Sequence, residues 1–297
     1  MEITEKDQAH KFWDANPIDL SNVWTANAVV GEEIYKRMSA GKTTAHWLTW
    51  LITDYFACRK FKSLLSPGCG TGDHEIMMAQ SGIVDDIDAF DFSEASLNIA
   101  RQKARGAGVS IKFYQDDINN FVIEKGKTYD LVMCSGSLHH TKELEHFFST
   151  VQSVLAPDGF FIVNEYVGAC YNIYDKRKVA MLERLYRCIP PSLRSGRMDH
   201  YHNPTIHEAL ALDPSESVRS ALIVPFLHEY FDVKLFHPFG GQLLHPLYQL
   251  LDHAQFSERE PRIETILRLL LEFEAILMDI DGGLQSDFCL CVCGLKQ

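Results

Sequence analysis

The 297-residue sequence lacks an excess of positive charge, since 28 lysines and arginines stand against 40 aspartates and glutamates for a formal net charge of −12. A nucleic-acid partner is not expected, because phosphate contacts need a basic surface. The first seven residues lack the apolar core of a signal peptide. The most apolar early stretch, residues 47–56, is too short to span a bilayer. These absences predict a cytoplasmic protein with no membrane partner.

The sequence also lacks internal repeats, low-complexity segments and the cysteine pattern of a disulfide framework. Its length allows one well-buried α/β domain with additions, or at most two small domains. In an intracellular chain, the eight cysteines are expected to be buried thiols. Cys289, Cys291 and Cys293 alternate with other residues and predict one face of a strand, because tetrahedral zinc needs ligands from separate segments. No metal is predicted.

What the sequence does contain is an apolar run that leads into a glycine-rich turn, Leu64-Leu65-Ser66-Pro67-Gly68-Cys69-Gly70-Thr71-Gly72. Glycines at such a turn tolerate positive φ and let a ligand approach the backbone. The helix predicted to begin at Asp73 adds unpaired N–H groups. The turn therefore predicts a site for an anionic or nucleotide-like ligand, with a ligand-free turn as the alternative.

A second signal lies nineteen residues after Gly72, where Asp91 ends an apolar run. In a nucleotide-binding βαβ unit, an acidic residue about 20 positions after the glycines bonds the ribose hydroxyls. Ser93 predicts the N-cap of a helix that stops near residues 106–108. The two linked signals favour nucleotide binding.

From Phe61 onward, strand-like and helical patterns alternate, which predicts a mostly parallel sheet with helices on both faces. Ligands of such sheets bind beyond the carboxyl ends of the strands. The predicted strands lie near residues 61–66, 87–92, 109–115, 129–134 and 160–167.

Four segments are predicted: an N-terminal helical lid (1–60), a nucleotide-binding core (61–167), a helical cap (168–216) and a C-terminal completion of the sheet (217–297). Thr43 or Thr44 is expected to cap a helix through residues 47–56. All four tryptophans precede residue 60. They either pack this helical segment on the core or, as Trp13 or Trp24, line the ligand pocket.

Several motifs stand in order: the glycine turn, Asp91-Phe92-Ser93, Gln115-Asp116-Asp117, Tyr129-Asp130-Leu131-Val132, Leu138-His139-His140 and Leu155-Ala156-Pro157-Asp158-Gly159. Together they resemble the class I S-adenosylmethionine-dependent methyltransferases, strongly over about residues 60–167. Segments 164–168, 213–220 and 240–241 resemble a bacterial small-molecule subgroup. The resemblance implies a Rossmann-like, mostly parallel sheet with a reversed last strand.

The resemblance also implies S-adenosylmethionine as cofactor. The glycine loop (Gly68, Cys69, Gly70, Gly72) would hold its methionine and ribose part, Asp91 its ribose diol, and Phe92 its adenine. Asp117 with Ile118, or Asp116 if the strand ends one residue earlier, would bind the adenine edge. The family often has an acidic residue two positions before the first glycine, where this chain has Ser66. Backbone carbonyls or Ser135 would then recognise the cofactor's ammonium group.

Candidate catalytic residues are His139 and His140 after the fourth strand and Glu165 after the fifth, because a base within reach helps to deprotonate an acceptor. Structural roles are the alternative for each. The candidate substrate-binding residues are Trp24, Tyr166, His200, Tyr201 and Arg219. Arg219 could instead form a surface ion pair, and the histidines near residue 200 a solvated loop.

These patterns predict a methyltransferase acting on a small-molecule acceptor, with O-methylation favoured over N-methylation. A nicotinamide-dependent oxidoreductase would share the glycine turn and Asp91 but leaves the later motifs unexplained. A non-catalytic protein that binds S-adenosylmethionine is a further alternative. A homodimer is left open.

Overall fold

The computed structural model describes residues 5–17, 23–196, 200–256, 260–280 and 283–296. A seven-stranded sheet with the order β3-β2-β1-β4-β5-β7-β6 forms its centre. The strands are β1 (Phe61–Pro67), β2 (Val84–Asp91), β3 (Lys112–Gln115), β4 (Tyr129–Ser135), β5 (Leu155–Tyr166), β6 (Phe231–Gly240) and β7 (Phe288–Leu295). Strands β1 to β5 are parallel, and β7 is antiparallel to β5 and β6. The predicted mostly parallel sheet with a reversed last strand is confirmed.

Helices cover both faces of the sheet. They are α1 (Glu5–Ala15), α2 (Ala28–Met38), α3 (Trp47–Trp50), α4 (Asp73–Ser81), α5 (Glu94–Ala107), α6 (Leu144–Val154), α7 (Lys176–Cys188), α8 (Ile206–Leu212), α9 (Ile223–Tyr230), α10 (Leu244–Tyr248), α11 (His253–Phe256) and α12 (Pro261–Asp279). None of the described helices combines the length and apolar composition that a membrane span requires.

The central strands are apolar on both faces, as expected where helices cover each side. In β4, Leu131 and Met133 belong to one hydrophobic core, whereas Val132 and Cys134 belong to the other. This alternation follows from the two-residue period of a strand. Because both faces are filled with side chains, the carboxyl edge of the sheet is where a polar site can form.

The start of the helix at residues 47–56 differs from the prediction. Thr43 uses its Oγ1 to accept a hydrogen bond from Ala45 N, within the preceding turn, at 3.0 Å. The ring Nδ1 of His46 accepts the N–H of Leu48, the second residue of the helix, at 3.3 Å. Neither predicted threonine therefore caps the helix. The α-helix ends at Trp50, and a π-helical turn follows over Leu51–Tyr55.

The cysteines are free, as predicted, but not all are buried. Cys289, Cys291 and Cys293 are fully buried along β7, in keeping with the predicted strand face. Cys58 and Cys188 are exposed, because each lies in a surface turn or helix end away from the sheet.

A buried carboxylate fixes the loop that follows β6. Glu274 on α12 is fully buried and accepts hydrogen bonds from the backbone N–H groups of Gly241, Leu243 and Leu244, at 2.8–3.1 Å. Arg37 of α2 pairs with the same carboxylate at 3.3 Å. The loop is thus held from both sides in one conformation.

Candidate functional site

The glycine loop after β1 has three residues in the left-handed region, with φ of +69° at Gly68, +53° at Gly70 and +78° at Gly72. A Cβ atom on Gly68 would lie 2.5 Å from the Cβ of Ser137, and one on Gly72 would lie 2.9 Å from the Cβ of Ala100. Nothing lies within 4 Å of such an atom at Gly70. Gly68 and Gly72 are therefore required by close packing, whereas Gly70 leaves open space for a ligand.

The carboxylate of Asp91 holds this loop in place from the end of β2. Its Oδ2 accepts a hydrogen bond from Gly70 N at 2.8 Å, and its Oδ1 accepts one from Ser93 N at 2.9 Å. Burial raises the pKa of Asp91, and these backbone hydrogen bonds oppose that shift. The group joins the glycine turn to the N-terminus of α5.

A cleft opens beside the loop and Asp91. Most of the residues predicted to bind cofactor line it: Gly68, Cys69, Gly70, Asp91, Phe92, Asp116, Ile118 and Ser135. Gly72 instead packs against α5. Asp117 lines a neighbouring pocket, which shares Phe92, Ile118 and His140 with the cleft.

Helix α1 forms one wall of the cleft. The Trp13 ring lines it and meets the ring of His140 edge-to-face, with centroids 5.0 Å apart. Asp14 accepts a hydrogen bond from the Ser93 hydroxyl at 2.7 Å, which attaches α1 to the start of α5. Of the two tryptophans predicted as possible pocket residues, Trp13 lies at the cleft.

Glu165, at the end of β5, anchors the turn that follows β4. Its side chain is fully buried. One carboxylate oxygen accepts hydrogen bonds from Ser137 N and Leu138 N, each at 2.6 Å. The other lies 2.7 Å from Nδ1 of His139. The carboxylate thereby sets both the backbone of the turn and the orientation of the first histidine.

The pKa values of the two histidines of this turn are shifted in opposite directions, although their ring centroids are only 4.1 Å apart. Burial opposes the charged form of His139, but the charge and hydrogen bond of Glu165 outweigh it and raise the pKa of His139 to about 9. The pKa of His140 is lowered by burial and by the neighbouring charge of His139. His139 is therefore the cation of the pair, and His140 is neutral near pH 7.

The tautomer of neutral His140 follows from its hydrogen bond. Its Nδ1 lies 3.1 Å from the carbonyl oxygen of Ser215, and a carbonyl only accepts. Nδ1 therefore carries the proton, and Nε2 presents a free lone pair.

Glu216 was not among the sequence candidates, although it lies in the quoted segment 213–220. Its Oε2 is 3.9 Å from Nε2 of both His139 and His140. Burial opposes its charged form, yet the two histidines lower the pKa of Glu216 to about 2. The three side chains have metal-ligand chemistry, with potential ligand atoms within 4.8 Å of one another. Only the three-dimensional structure brings this distant residue to the pair.

The predicted substrate-binding residues are separated by the structure. Tyr166 is buried, with its ring centroid 6.2 Å from that of His139, and Tyr201 is half-buried. His200 is exposed. Arg219 donates to both carboxylate oxygens of Glu145, at 2.6 and 2.8 Å, so it takes the surface ion pair. Trp24 lies apart from the cleft, against His245 and Phe288.

A buried acid is the hydrogen-bond partner of Ser66. Glu75 of α4 is 3 % exposed, and the Ser66 hydroxyl donates to its Oε1 at 2.6 Å. Its Oε2 is buried without a partner among the described residues. Burial raises the pKa of Glu75 to about 7. Ser66 is thus bonded to an acid of the helix that follows the glycine loop, and neither residue is among those that line the cleft.

We expect Glu75→Gln to change how stability depends on pH. Between about pH 4.5 and 7 the unfolded chain ionises this acid while the folded protein keeps its proton, so wild-type stability falls by up to about 3 kcal/mol as pH rises. Glutamine cannot ionise, so above pH 7 the free energy of unfolding of the variant rises relative to that of wild type. Urea unfolding at pH 5 and pH 8 measures this. Exposed Glu124→Gln is the control, and a pH-independent difference for Glu75→Gln would contradict the assignment.

Comparison with known proteins agrees with this geometry. Residues 64–159 match the family described as a methyltransferase domain. A demethylmenaquinone methyltransferase of Thermus thermophilus is 26 % identical over 148 residues, which are 45 % of this chain and 67 % of that protein. A ubiquinone biosynthesis O-methyltransferase of Vibrio campbellii is 30 % identical over 98 residues, 33 % of this chain and 41 % of the relative. The chain spans about two fifths of the length of that relative.

A solved structure shows the same fold over nearly the whole chain. The [4+2]-cyclase SpnF aligns with a TM-score of 0.53 at 15 % identity and covers 99 % of this chain and 97 % of its own. At that identity the likeness concerns the fold alone. The match, with the sheet order and the glycine loop, identifies residues 64–159 as a methyltransferase domain of the class I S-adenosylmethionine-dependent type.

Proposed function

We propose that the protein transfers a methyl group from S-adenosylmethionine to a hydroxyl oxygen of a small-molecule acceptor. The observation that carries the proposal is the histidine pair, anchored by Glu165, of which His140 lines the cofactor cleft. A neutral imidazole there is suited to accept a hydroxyl proton. Similarity to proteins named ubiquinone biosynthesis O-methyltransferases supports oxygen as the methylated atom.

The residues of the cleft fit the cofactor. Gly70 leaves open space beside bare backbone, and the carboxylate of Asp91 has lone pairs left for a diol. Phe92 and Ile118 provide apolar surface for a base. When bound, S-adenosylmethionine supplies an electrophilic methyl group on a positively charged sulfur, which leaves as a neutral thioether.

The protein's own task is to position and deprotonate the acceptor. In this proposal Nε2 of His140 takes the hydroxyl proton, and Ser215 holds the ring through Nδ1. His139, kept as a cation by Glu165, lowers the pKa of its neighbour and keeps it neutral before reaction. The same cation would favour an oxyanion on the acceptor as it forms.

We expect Asp91→Ala to weaken S-adenosylmethionine binding at least tenfold, because it removes both the diol acceptor and the anchor of Gly70. Asp86→Ala, on the same strand, is the matched control and should bind like wild type. Titration calorimetry with S-adenosylmethionine and S-adenosylhomocysteine measures both. Unchanged affinity of Asp91→Ala would count against this cofactor position.

We expect His140→Asn to lower kcat by roughly 10²- to 10⁴-fold, the usual contribution of a positioned base. Asparagine retains a donor for the Ser215 carbonyl but has no group in place of Nε2. Affinity for S-adenosylmethionine should stay within a few-fold of wild type. The readout is radiolabel transfer from S-adenosylmethionine in an acceptor screen.

A chelator control separates this proposal from a metal held by His139, His140 and Glu216. Under the base mechanism, activity is unchanged after treatment with EDTA. Loss of activity that Mg²⁺ or Mn²⁺ restores, or a wild-type kcat in His140→Asn, would contradict the assignment.

We expect His139→Asn to move the acid limb of the pH profile of kcat/KM to higher pH. Activity falls at low pH when His140 becomes protonated, and burial together with the charge of His139 holds the pKa of His140 below its usual 6.5. Glu216, Asp213 and Glu165 act in the opposite direction, so the pKa of His140 should rise once the cation is gone. An acid limb that stays in place would show that the two rings are not coupled.

A further inference from the structure

Gln242 is a buried amide without a hydrogen-bond partner. The residue is 1 % exposed, and both Oε1 and Nε2 lack partners among the described residues. Burying such an amide without compensation destabilises the folded protein. Buried polar groups in native proteins are nearly always satisfied, so an exception needs a reason. A bound ligand is one such reason.

The loop that carries Gln242 is held rigidly, so the missing partners do not come from a loose segment. Glu274 accepts the N–H groups on either side of it, from Gly241 and Leu243. Gly240 and Gly241 have φ of +102° and +87°, values that L side chains rarely adopt. The chain therefore uses several constraints to hold an unpaired amide in place.

A second unpaired group lies three residues further on. Nδ1 of His245 is buried without a partner in the described part of the chain. Burial lowers the pKa of His245 to about 4, so its ring is neutral. The loop and the first turn of α10 thus present three unpaired polar atoms within four residues.

Aromatic rings surround His245. Its centroid lies 5.0 Å from that of Phe288, 5.8 Å from Trp24 and 6.2 Å from Tyr166. Tyr166 is also 6.2 Å from His139. We call Trp24, Tyr166, Phe288 and His245 the aromatic enclosure, and the Gln242 loop adjoins it, because Gly241 lies against Phe288 and Trp24. The enclosure is linked through Tyr166 to the histidine pair.

Two cations near the enclosure are paired with acids. Lys178 bonds to Asp287 and lies over the Tyr174 ring, at 3.6 Å from its centroid. Arg37 is paired with Glu274. Neither cation is therefore available for an anionic ligand, and flat aromatic walls favour a ring over a flexible chain.

We propose that the aromatic enclosure binds the acceptor as a neutral hydroxylated ring, with Gln242 bonding a polar substituent of that ring. The amide both donates and accepts, so it matches a hydroxyl group. Unpaired groups that the ligand completes also give specificity, because an analogue without the hydroxyl leaves them unsatisfied. The identification of the ligand as acceptor rests on the function proposed above.

The first test needs no ligand. Gln242→Met keeps the side-chain length but removes the unpaired amide, so the Tm of the ligand-free protein should rise by about 2–4 °C. Gln152→Met is the matched control, because Gln152 Nε2 donates to Tyr230 O at 2.5 Å, and its loss should lower Tm. If Gln242→Met has an unchanged or lower Tm, the amide is satisfied by water or protein and the proposal is overturned.

The second test uses catechol as probe and its dimethyl ether, which cannot donate a hydrogen bond, as control. In the presence of S-adenosylhomocysteine, catechol should raise the Tm of wild type and the dimethyl ether should not. Gln242→Met should lose at least three-quarters of the shift produced by catechol. Equal shifts in the two proteins, or none in wild type, would overturn the assignment.

The two proposals fail in different ways. Failure of the methyltransferase function would appear as absent methyl transfer from S-adenosylmethionine, whatever Gln242→Met does to Tm. Failure of the enclosure proposal would appear in the two Tm comparisons while S-adenosylmethionine binding and turnover persist.

Discussion

The candidate site depends on one buried carboxylate, that of Glu165. It accepts two backbone N–H groups from the turn after β4 and meets Nδ1 of His139. Such a group is costly to bury unless it is fully bonded, and here the turn and the histidine provide the bonds. Removing it would leave unpaired N–H groups and an unanchored ring together. The geometry of the turn and the charge of His139 therefore depend on the same side chain, Glu165.

Buried carboxylates that bond backbone N–H groups of a loop recur at the carboxyl edge of the sheet. Asp91 bonds N–H groups on the glycine loop and on α5, and Glu274 bonds three on the loop after β6. Each acid fixes a loop that would otherwise have free backbone groups. Rigid loops are what a transfer reaction needs, because much of its rate comes from holding the reacting groups in position. The acidic composition of the chain thus has a structural use.

The parts of the site that were predictable are those fixed by local sequence. The glycine turn and Asp91 follow strands and precede helices, and parallel strands bring their ends to one edge, so spacing alone located the cleft. The helix cap at His46 was missed because Thr43 and Thr44 satisfy the usual local pattern equally well. Glu75 and Glu216 were missed for a different reason. Their roles depend on burial and on contacts with residues distant in sequence, and the pattern of apolar residues along the chain predicts neither.

Buried polar groups without hydrogen-bond partners lower the stability of a fold, and the same groups can bind a ligand. The fold is shared with a protein named as a cyclase, so the sheet and glycine loop do not determine the reaction by themselves. What can distinguish one member from another is the set of polar atoms that the protein buries but does not satisfy. Gln242 lies on a rigid loop and His245 on the helix that follows it, where relaxation could not easily hide them. A residue that costs stability in a well-fixed loop is most simply retained for what it binds.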